Sequence, residues 1–174
     1  APHAEDADVR QYIWPAAMDS LYGPDLDLTV PPLSEPAFHA SLPAYLRDAN
    51  LMNRYRWHWR FDTPAKADRM TRGYLRMISG VDAAIGEVLT ALEAHGMRDN
   101  TVVILMGDNG YFLGERGYAG KWLPHEPSIR VPLIVVDPRR PKAAGSRPTA
   151  MALNIDIAPT LLDLAGVPAP ASVQ

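Results

Sequence analysis

The sequence predicts an α/β fold made of buried strands covered by helices. Residues 63–96 place apolar side chains at three- and four-residue steps, the period of a helix with one buried face. Residues 101–106 then form a short, continuous run of β-branched and apolar residues, which is typical of a strand buried on both faces. Residues 132–136 form a second such run. Strands of this kind favour a parallel sheet with helices on its faces.

The long helix has recognisable ends. Thr63 is a good N-cap, Pro64 suits the first helical position, and Gly96 supplies a left-handed stop. Gly73 and Gly80 are expected to bend the helix. Its predicted buried stripe consists of Met70, Tyr74, Met77, Ile78, Val81, Ile85, Val88, Leu89 and Leu92.

The segments on either side of this core are irregular. Residues 1–62 contain seven prolines, so we expect a long surface excursion with one short helix near Leu42–Met52. An excursion of that length either shapes a binding cleft or packs on sequence outside this chain. Residues 137–148 read as a Pro/Arg-rich linker, and residues 156–165 as a further helix that ends at Gly166.

Bulk composition excludes several classes of function. The 174 residues are 47% hydrophobic, enough for one domain or domain fragment, and the net charge of −3 does not favour nucleic-acid binding. An apolar run long enough to span a bilayer is absent from the sequence. The absence of cysteine excludes disulfides, thiolate ligands and a cysteine nucleophile within these residues. Because the sequence begins without Met or a signal-like segment, we expect it to start inside a longer chain.

A candidate metal site follows the first strand directly. Asp108 and Asn109 lie in Gly107–Gly110, and ligands of open α/β sheets bind at the carboxyl ends of strands. A carboxylate and an amide oxygen are hard donors, suited to Ca²⁺ or Mg²⁺. The alternative is a simple turn, because Asn-Gly is a strong turn signal.

Three further residues are candidates for anion binding or acid–base chemistry. Lys121 ends a glycine-punctuated loop and can act as a point charge for an anion, although most lysines are simply solvated. His3 and His125 lie in polar, loop-like settings where proton transfer or anion contacts are plausible. A lone histidine is nevertheless more often structural, and His39, His58 and His95 have weaker claims.

A rival interpretation rests on Arg54–Arg60, where cations alternate with aromatic residues. This composition can stack on sugars or bases, so a non-catalytic module that binds anionic glycans is one hypothesis. A half-buried strand or packed loop explains the same alternation. Nucleic acid is not expected as a partner because the rest of the chain lacks basic support.

Several motifs in a fixed order resemble the type I, formylglycine-dependent sulfatases. The resemblance covers roughly residues 71–166, and Ala1-Pro2-His3 is similar to the Pro-His segment that precedes these motifs in the family. The motifs are Met77–Gly86, Asp99–Val103, Gly107–Gly110, Gly120-Lys121, Glu126–Ile134 and Asp156–Leu161. The resemblance implies an alkaline-phosphatase-like α/β/α sandwich with a mostly parallel sheet, incomplete here. It divides the chain into a Pro-rich variable insertion, residues 1–62, and a helix–strand–metal loop–strand–helix core, residues 63–166.

The resemblance also implies roles for individual residues. Asp108 and Asn109 match two ligands of a Ca²⁺ site, with Mg²⁺ as the alternative ion, and Lys121 matches a lysine that contacts sulfate. His3 matches a histidine near the bridging oxygen, and His125 stands where a substrate contact is expected. The implied substrate is a sulfated glycan or small molecule. Asparagine beside the aspartate favours sulfatases over the phosphate and phosphonate ester hydrolases of the superfamily, which stay the alternative.

The family's nucleophile motif, Cys/Ser-x-Pro-x-Arg, does not occur in this sequence. Ser34–Phe38 and Ser41–Tyr45 come nearest, but both lack the arginine. The formylglycine nucleophile and an Asp-Asp pair of metal ligands are therefore expected upstream, and the chain alone is expected to be inactive. Family resemblance suggests a periplasmic or secreted protein, and the residues leave the oligomeric state open.

Overall fold

The computed structural model describes residues 3–28, 34–49 and 51–172. The chain forms two compact units, Ala1–Pro138 and Arg139–Gln174. The helices and strands of the first unit are α1 (Pro36–Ala40), α2 (Ala44–Arg47), α3 (Met52–Arg60), α4 (Pro64–Ala94), β1 (Val103–Met106), β2 (Phe112–Leu113), β3 (Ala119–Gly120), α5 (Glu126–Ile129) and β4 (Leu133–Val136). Single 3₁₀ turns in this unit cover Ala16–Met18, Arg98–Asn100 and Glu115–Gly117.

The Pro-rich first third holds more helix than the sequence predicts. Its described residues form three α-helices, of which α2 lies within the predicted Leu42–Met52, and the longest, α3, takes up the Arg54–Arg60 segment whose alternation favoured a strand or packed loop. Helix α3 buries Asn53, Trp57 and Arg60, which lie four and then three residues apart along one helix face. The helical period therefore explains this segment better than the two-residue alternation of aromatic and basic residues.

Helix α4 begins and ends as predicted. The Thr63 side chain accepts a hydrogen bond from the Lys66 backbone N–H, and Gly96 adopts a left-handed φ of +64°. Gly73 and Gly80, two of the glycines inside α4, act as contact points for the preceding segment. A Cβ on Gly73 would lie 3.0 Å from the Trp14 ring, and one on Gly80 would lie 3.0 Å from Pro15 Cδ.

The hydrophobic core covers only the first half of the predicted α4 stripe. Met70 is buried, with Tyr74 and Met77 packed around it, but Val81 and Val88 are 38% and 59% exposed. The buried members of the core are Ala4, Tyr12, Trp57, Phe61, Met70 and Ala119. The core is thus built where the N-terminal segment, α3 and the β2–β3 loop meet the first half of α4.

The strands pair in two small antiparallel ladders. β1 pairs with β4 in the register Val103↔Val136 to Met106↔Leu133, and β2 pairs with β3 through Phe112↔Gly120. The expectation that the two apolar strands belong to a parallel arrangement is therefore wrong for this pair. Neither is buried on both faces, because β1 is half-buried and all four residues of β4 are exposed. A strand that is buried on both faces needs a continuous run of apolar residues, but such a run does not determine whether the strand pairs in a parallel or an antiparallel direction.

The second unit is small. It contains 3₁₀ turns at Pro141–Ala143 and Asn154–Asp156, and the helix α6 (Ile157–Leu164), which agrees with the predicted linker and final helix. Gly166 follows α6 with a φ of +69°. Among the described residues, no helix combines the length and apolar character needed to cross a membrane.

Candidate anion and metal site

The candidate metal loop lies directly after β1, as predicted. Asp108 Oδ1 accepts the Asn109 backbone N–H at 2.9 Å, and the Asn109 amide nitrogen donates to Gly110 O at 2.8 Å. The first of these bonds lowers the pKa of Asp108, and the positive charge of Lys121 acts in the same direction. Asp108 is exposed. It is therefore an ionised carboxylate facing solvent at the end of a strand.

The Asn109-Gly110 pair is not a hairpin turn. Gly110 does not take a positive φ, as the tight hairpin turn favoured by Asn-Gly would require. Its backbone N–H donates to Ser128 O at 2.8 Å, and a Cβ at this position would lie 2.2 Å from Pro127 O. Glycine is needed here because the α5 backbone approaches too closely for any side chain.

Lys121 reaches the candidate metal loop. Its Nζ lies 3.1 Å from Asn109 Oδ1, although twelve residues separate the two in sequence. Both side chains are half-buried. This contact argues against a simply solvated lysine and joins the predicted anion-binding residue to a predicted metal ligand. The result is an ammonium group and a carboxylate on neighbouring loops at the end of β1.

His125 stands close to this site without reaching it in the described contacts. It precedes α5 as the N-cap residue, and its ring lies edge-on to Phe112 at 5.8 Å. Its Nδ1 is buried without a hydrogen-bond partner. Burial lowers the pKa of His125, and the positive charge of Arg116 lowers it further. The ring is thus held neutral near pH 7, which suits a hydrogen bond to a ligand better than an ion pair.

His3 lies in an exposed segment, and no described contact connects it to Lys121 or Asp108. Its Nδ1 lies 3.8 Å from Glu5 Oε1, and its side chain is 55% exposed. Ala1 and Pro2, the rest of the predicted Pro-His segment, lie outside the described residues. The segment behind His3 is anchored, because Ala4 bridges to Tyr12 and both side chains are buried.

Part of the Arg54–Arg60 segment is used for packing, which weakens the glycan-module interpretation. Arg60 is 1% exposed and donates to Gln11 Oε1, the Tyr111 hydroxyl and Asp6. Trp57 is 4% exposed, and the Arg54 guanidinium stacks on its ring while donating to Gly117 O. Arg54, Trp57 and Arg60 are therefore committed to internal contacts, whereas Tyr55 and Trp59 are 46% and 43% exposed.

The described residues supply only part of a metal site. Within residues 3–28, 34–49 and 51–172, no three His, Cys, Asp or Glu side chains gather as a metal cluster would. Asp108 and Asn109 nevertheless fit Ca²⁺ chemically, since both offer hard oxygen atoms and Ca²⁺ takes six to eight of them. The Lys121 contact uses one lone pair of the Asn109 amide oxygen and leaves a second.

An apolar cavity of about 390 Å³ lies elsewhere in the first unit. It is lined by residues such as Trp57, Phe61, Pro64 and Leu113, and none of Asp108, Asn109 and Lys121 borders it. The candidate site is thus a loop cluster, and this apolar cavity is a separate feature.

Comparison with known proteins identifies the family. The sulfatase family model matches residues 24–167, which include α1 to α6 and both candidate loops. The chain belongs to the sulfatase family. The N-acetylglucosamine-6-O-sulfatase of Bacteroides thetaiotaomicron is 43% identical over 111 residues, which are 63% of this chain and 19% of that protein. The chain thus spans about a fifth of the length of this relative.

Two solved structures resemble this chain in fold. One, in complex with its substrate D-glucosamine-2-N,6-O-disulfate, superimposes with a TM-score of 0.60 at 36% identity, over 78% of this chain and 29% of that one. The phosphonate monoester hydrolase of Agrobacterium radiobacter gives 0.57 at 32% identity, over 60% and 21%. The predicted α/β, alkaline-phosphatase-like fold class is confirmed.

The sequence interpretation missed Asn53, Ser128 and Arg56, which surround the Lys121 loop. Asn53 donates to Ala119 O and Lys121 O, and Ser128 Oγ accepts the Trp122 N–H at 3.1 Å. Arg56 stacks on the Trp122 ring at 4.7 Å. The i, i+4, i+7 spacing of Asn53, Trp57 and Arg60 could have indicated a helix with one buried face. This spacing does not indicate that the helix packs on the Lys121 loop.

Proposed function

We propose that this chain is the anion- and metal-binding part of a sulfatase that hydrolyses sulfate esters of a sulfated carbohydrate. The observation that carries the proposal is the 3.1 Å contact between Lys121 Nζ and Asn109 Oδ1, which puts a cation beside the candidate metal ligands. The family match and the sulfated amino sugars named for the two relatives support the substrate class.

In this proposal each residue of the chain has a defined task. Lys121 binds the sulfonyl oxygens and offsets the charge that grows on them as the ester is cleaved. His3 donates a proton to the leaving oxygen, and His125 contacts the substrate. Asp108 and Asn109 would hold Ca²⁺ together with ligands from outside this chain. When bound, the ion would supply Lewis-acid stabilisation of the same oxygens.

The proposal is tested in the complete protein with a matched pair of lysine substitutions. Lys121→Ala should lower kcat/KM for a 6-O-sulfated amino sugar by about 10²–10³-fold, the usual loss when one charge-stabilising group is removed from an active site. Lys142→Ala, in an exposed 3₁₀ turn of the second unit, should leave kcat/KM unchanged. Full turnover by Lys121→Ala, or no sulfate-ester hydrolysis by the wild type, would refute the proposal.

A phosphonate or phosphate ester hydrolase is the second candidate. The structural match to a phosphonate monoester hydrolase favours it, because that enzyme shares this part of the fold at 32% identity. Parallel assays of the complete protein on an aryl sulfate and an aryl phosphonate separate the two. A higher kcat/KM for the phosphonate would put this second function first. Location in the periplasm or outside the cell stays a prediction.

A further inference from the structure

The backbone around Lys121 is unusual. Gly120 before it has a φ of +98°, and Trp122 after it has a φ of +81°, so the lysine sits between two residues with left-handed backbone. Positive φ at tryptophan is costly, because its Cβ clashes with the backbone there, and such strain persists only when surrounding contacts hold it. The contacts that hold this backbone conformation therefore also fix the position of the Lys121 backbone, from which its side chain extends.

Helix α3 supplies the main contact of this kind. Asn53 is 4% exposed, and its amide nitrogen donates to Lys121 O at 2.7 Å and to Ala119 O at 3.2 Å. One side-chain amide thus fixes two carbonyl groups that flank Gly120. Both N–H donors of that amide are used, which leaves Asn53 no other orientation that satisfies them.

A second contact from α3 covers the far side of the loop. The Arg56 guanidinium lies 4.7 Å from the centre of the Trp122 ring, and a Cβ on Gly120 would lie 3.3 Å from Arg56 Cδ. Arg56 is itself fixed by Asp6, which accepts from its Nη2 at 2.6 Å. The same helix therefore holds the Lys121 loop and the segment that carries His3.

A free lysine side chain has four rotatable bonds and finds an anion poorly unless its backbone is fixed. We propose that Asn53 is a positioning residue that sets the Lys121 backbone, and through it the ammonium group, for sulfate binding. This inference rests on the proposed role of Lys121. Asn53 itself does not touch the substrate.

The test uses the complete protein and two readouts, the dissociation constant for inorganic sulfate by calorimetry and kcat/KM for a sulfated amino sugar. Asn53→Ala should weaken sulfate binding and lower kcat/KM by about tenfold or more, because small displacements of a charge-stabilising group are costly. In the Lys121→Ala background the same substitution should change neither readout by more than about twofold.

The matched control is Arg72→Ala on α4. Arg72 also donates from a helix to loop carbonyls, those of Tyr22 and Leu26, without contacting the Lys121 loop. It should lower the melting temperature as Asn53→Ala does, yet leave sulfate binding within about twofold. If Asn53→Ala does not fold, Asn53→Ser keeps one hydroxyl donor and should give an intermediate loss.

The outcomes separate the positioning role from the proposed function. Sulfate binding by Asn53→Ala, or by a folded Asn53→Ser, equal to that of the wild type overturns the positioning role while leaving the proposed function intact. An equal loss in the Lys121→Ala background also overturns it, because Asn53 would then act independently of the lysine. A wild type that neither binds sulfate nor cleaves sulfate esters removes both proposals together.

Discussion

Replacing Gly110 with alanine tests the close approach between the candidate metal loop, Gly107–Gly110, and α5. The new Cβ would lie 2.2 Å from Pro127 O and 2.9 Å from Arg130 O, whereas ordinary carbon–oxygen contacts begin near about 3.3 Å. The two backbones must therefore separate by about 1 Å. That movement stretches the 2.8 Å hydrogen bond from Gly110 N to Ser128 O.

The expected cost follows from these two effects. Forcing a group into a packed contact costs about 1–3 kcal/mol, and leaving a partly buried backbone pair unmade costs about 1–3 kcal/mol. Because Gly110 is only half-buried, we expect the free energy of unfolding to fall by about 2–4 kcal/mol. The same shift moves Asn109, so kcat/KM in the complete protein should fall by about a hundredfold.

Gly86→Ala is the matched control. Gly86 lies inside α4, and a Cβ added there would have nothing within 4 Å, so alanine should stabilise the helix by about 0.5–1 kcal/mol. Urea denaturation of the two variants measures both changes. Opposite signs are expected. A Gly110→Ala protein as stable as the wild type would mean that α5 does not approach the metal loop in this way.

Two carboxyl groups predict opposite pH effects on stability. Burial would raise the pKa of Asp6, but the hydrogen bonds and charges of Arg56 and Arg60 outweigh it and hold this pKa below 3.8. Asp6 thus contributes stability above its unfolded pKa that is lost as pH falls through the folded one, and Asp6→Asn should flatten the acid decline in melting temperature below about pH 4. An unchanged acid decline would refute this. Burial raises the pKa of Glu115 above 4.5, because the folded state favours the neutral carboxyl group. The contribution of Glu115 to folding stability is therefore present at low pH and is lost as the pH rises. Glu115→Gln should therefore raise the melting temperature at pH 7 more than at pH 4, and a lower value at pH 7 would count against it.

The elements that the sequence predicts well are those determined by local chemistry. Thr63, Pro64 and Gly96 set the ends of α4 because capping and left-handed φ are properties of single residues. The candidate metal loop could be placed because the strand before it is short, apolar and bounded. The position of Asp108 and Asn109 at the end of β1 is therefore predictable from the sequence.

The features that could not be predicted depend on which segments meet. The apolar composition of β1 and β4 does not indicate whether they pair in a parallel or an antiparallel direction. Their relative direction depends on the path of the chain between them. Lys121 and Asn109 lie twelve residues apart on either side of the β2–β3 ladder, and sequence spacing permitted their contact without requiring it. The exposure of β4 likewise reflects what packs on it and cannot be read from four apolar residues.

Helix α3 makes the Pro-rich excursion part of the structure that supports the site. Asn53 and Arg60 are polar side chains that are 4% and 1% exposed, and burying such groups is unfavourable unless every donor finds a partner. Their partners are the Lys121 loop for Asn53, and Asp6, Gln11 and Tyr111 for Arg60. Helix α3 can therefore be buried only when the Lys121 loop and the residues that bind Arg60 are in place. For that reason, a substitution that releases α3 should disturb the candidate anion site even though the helix contributes no group to it.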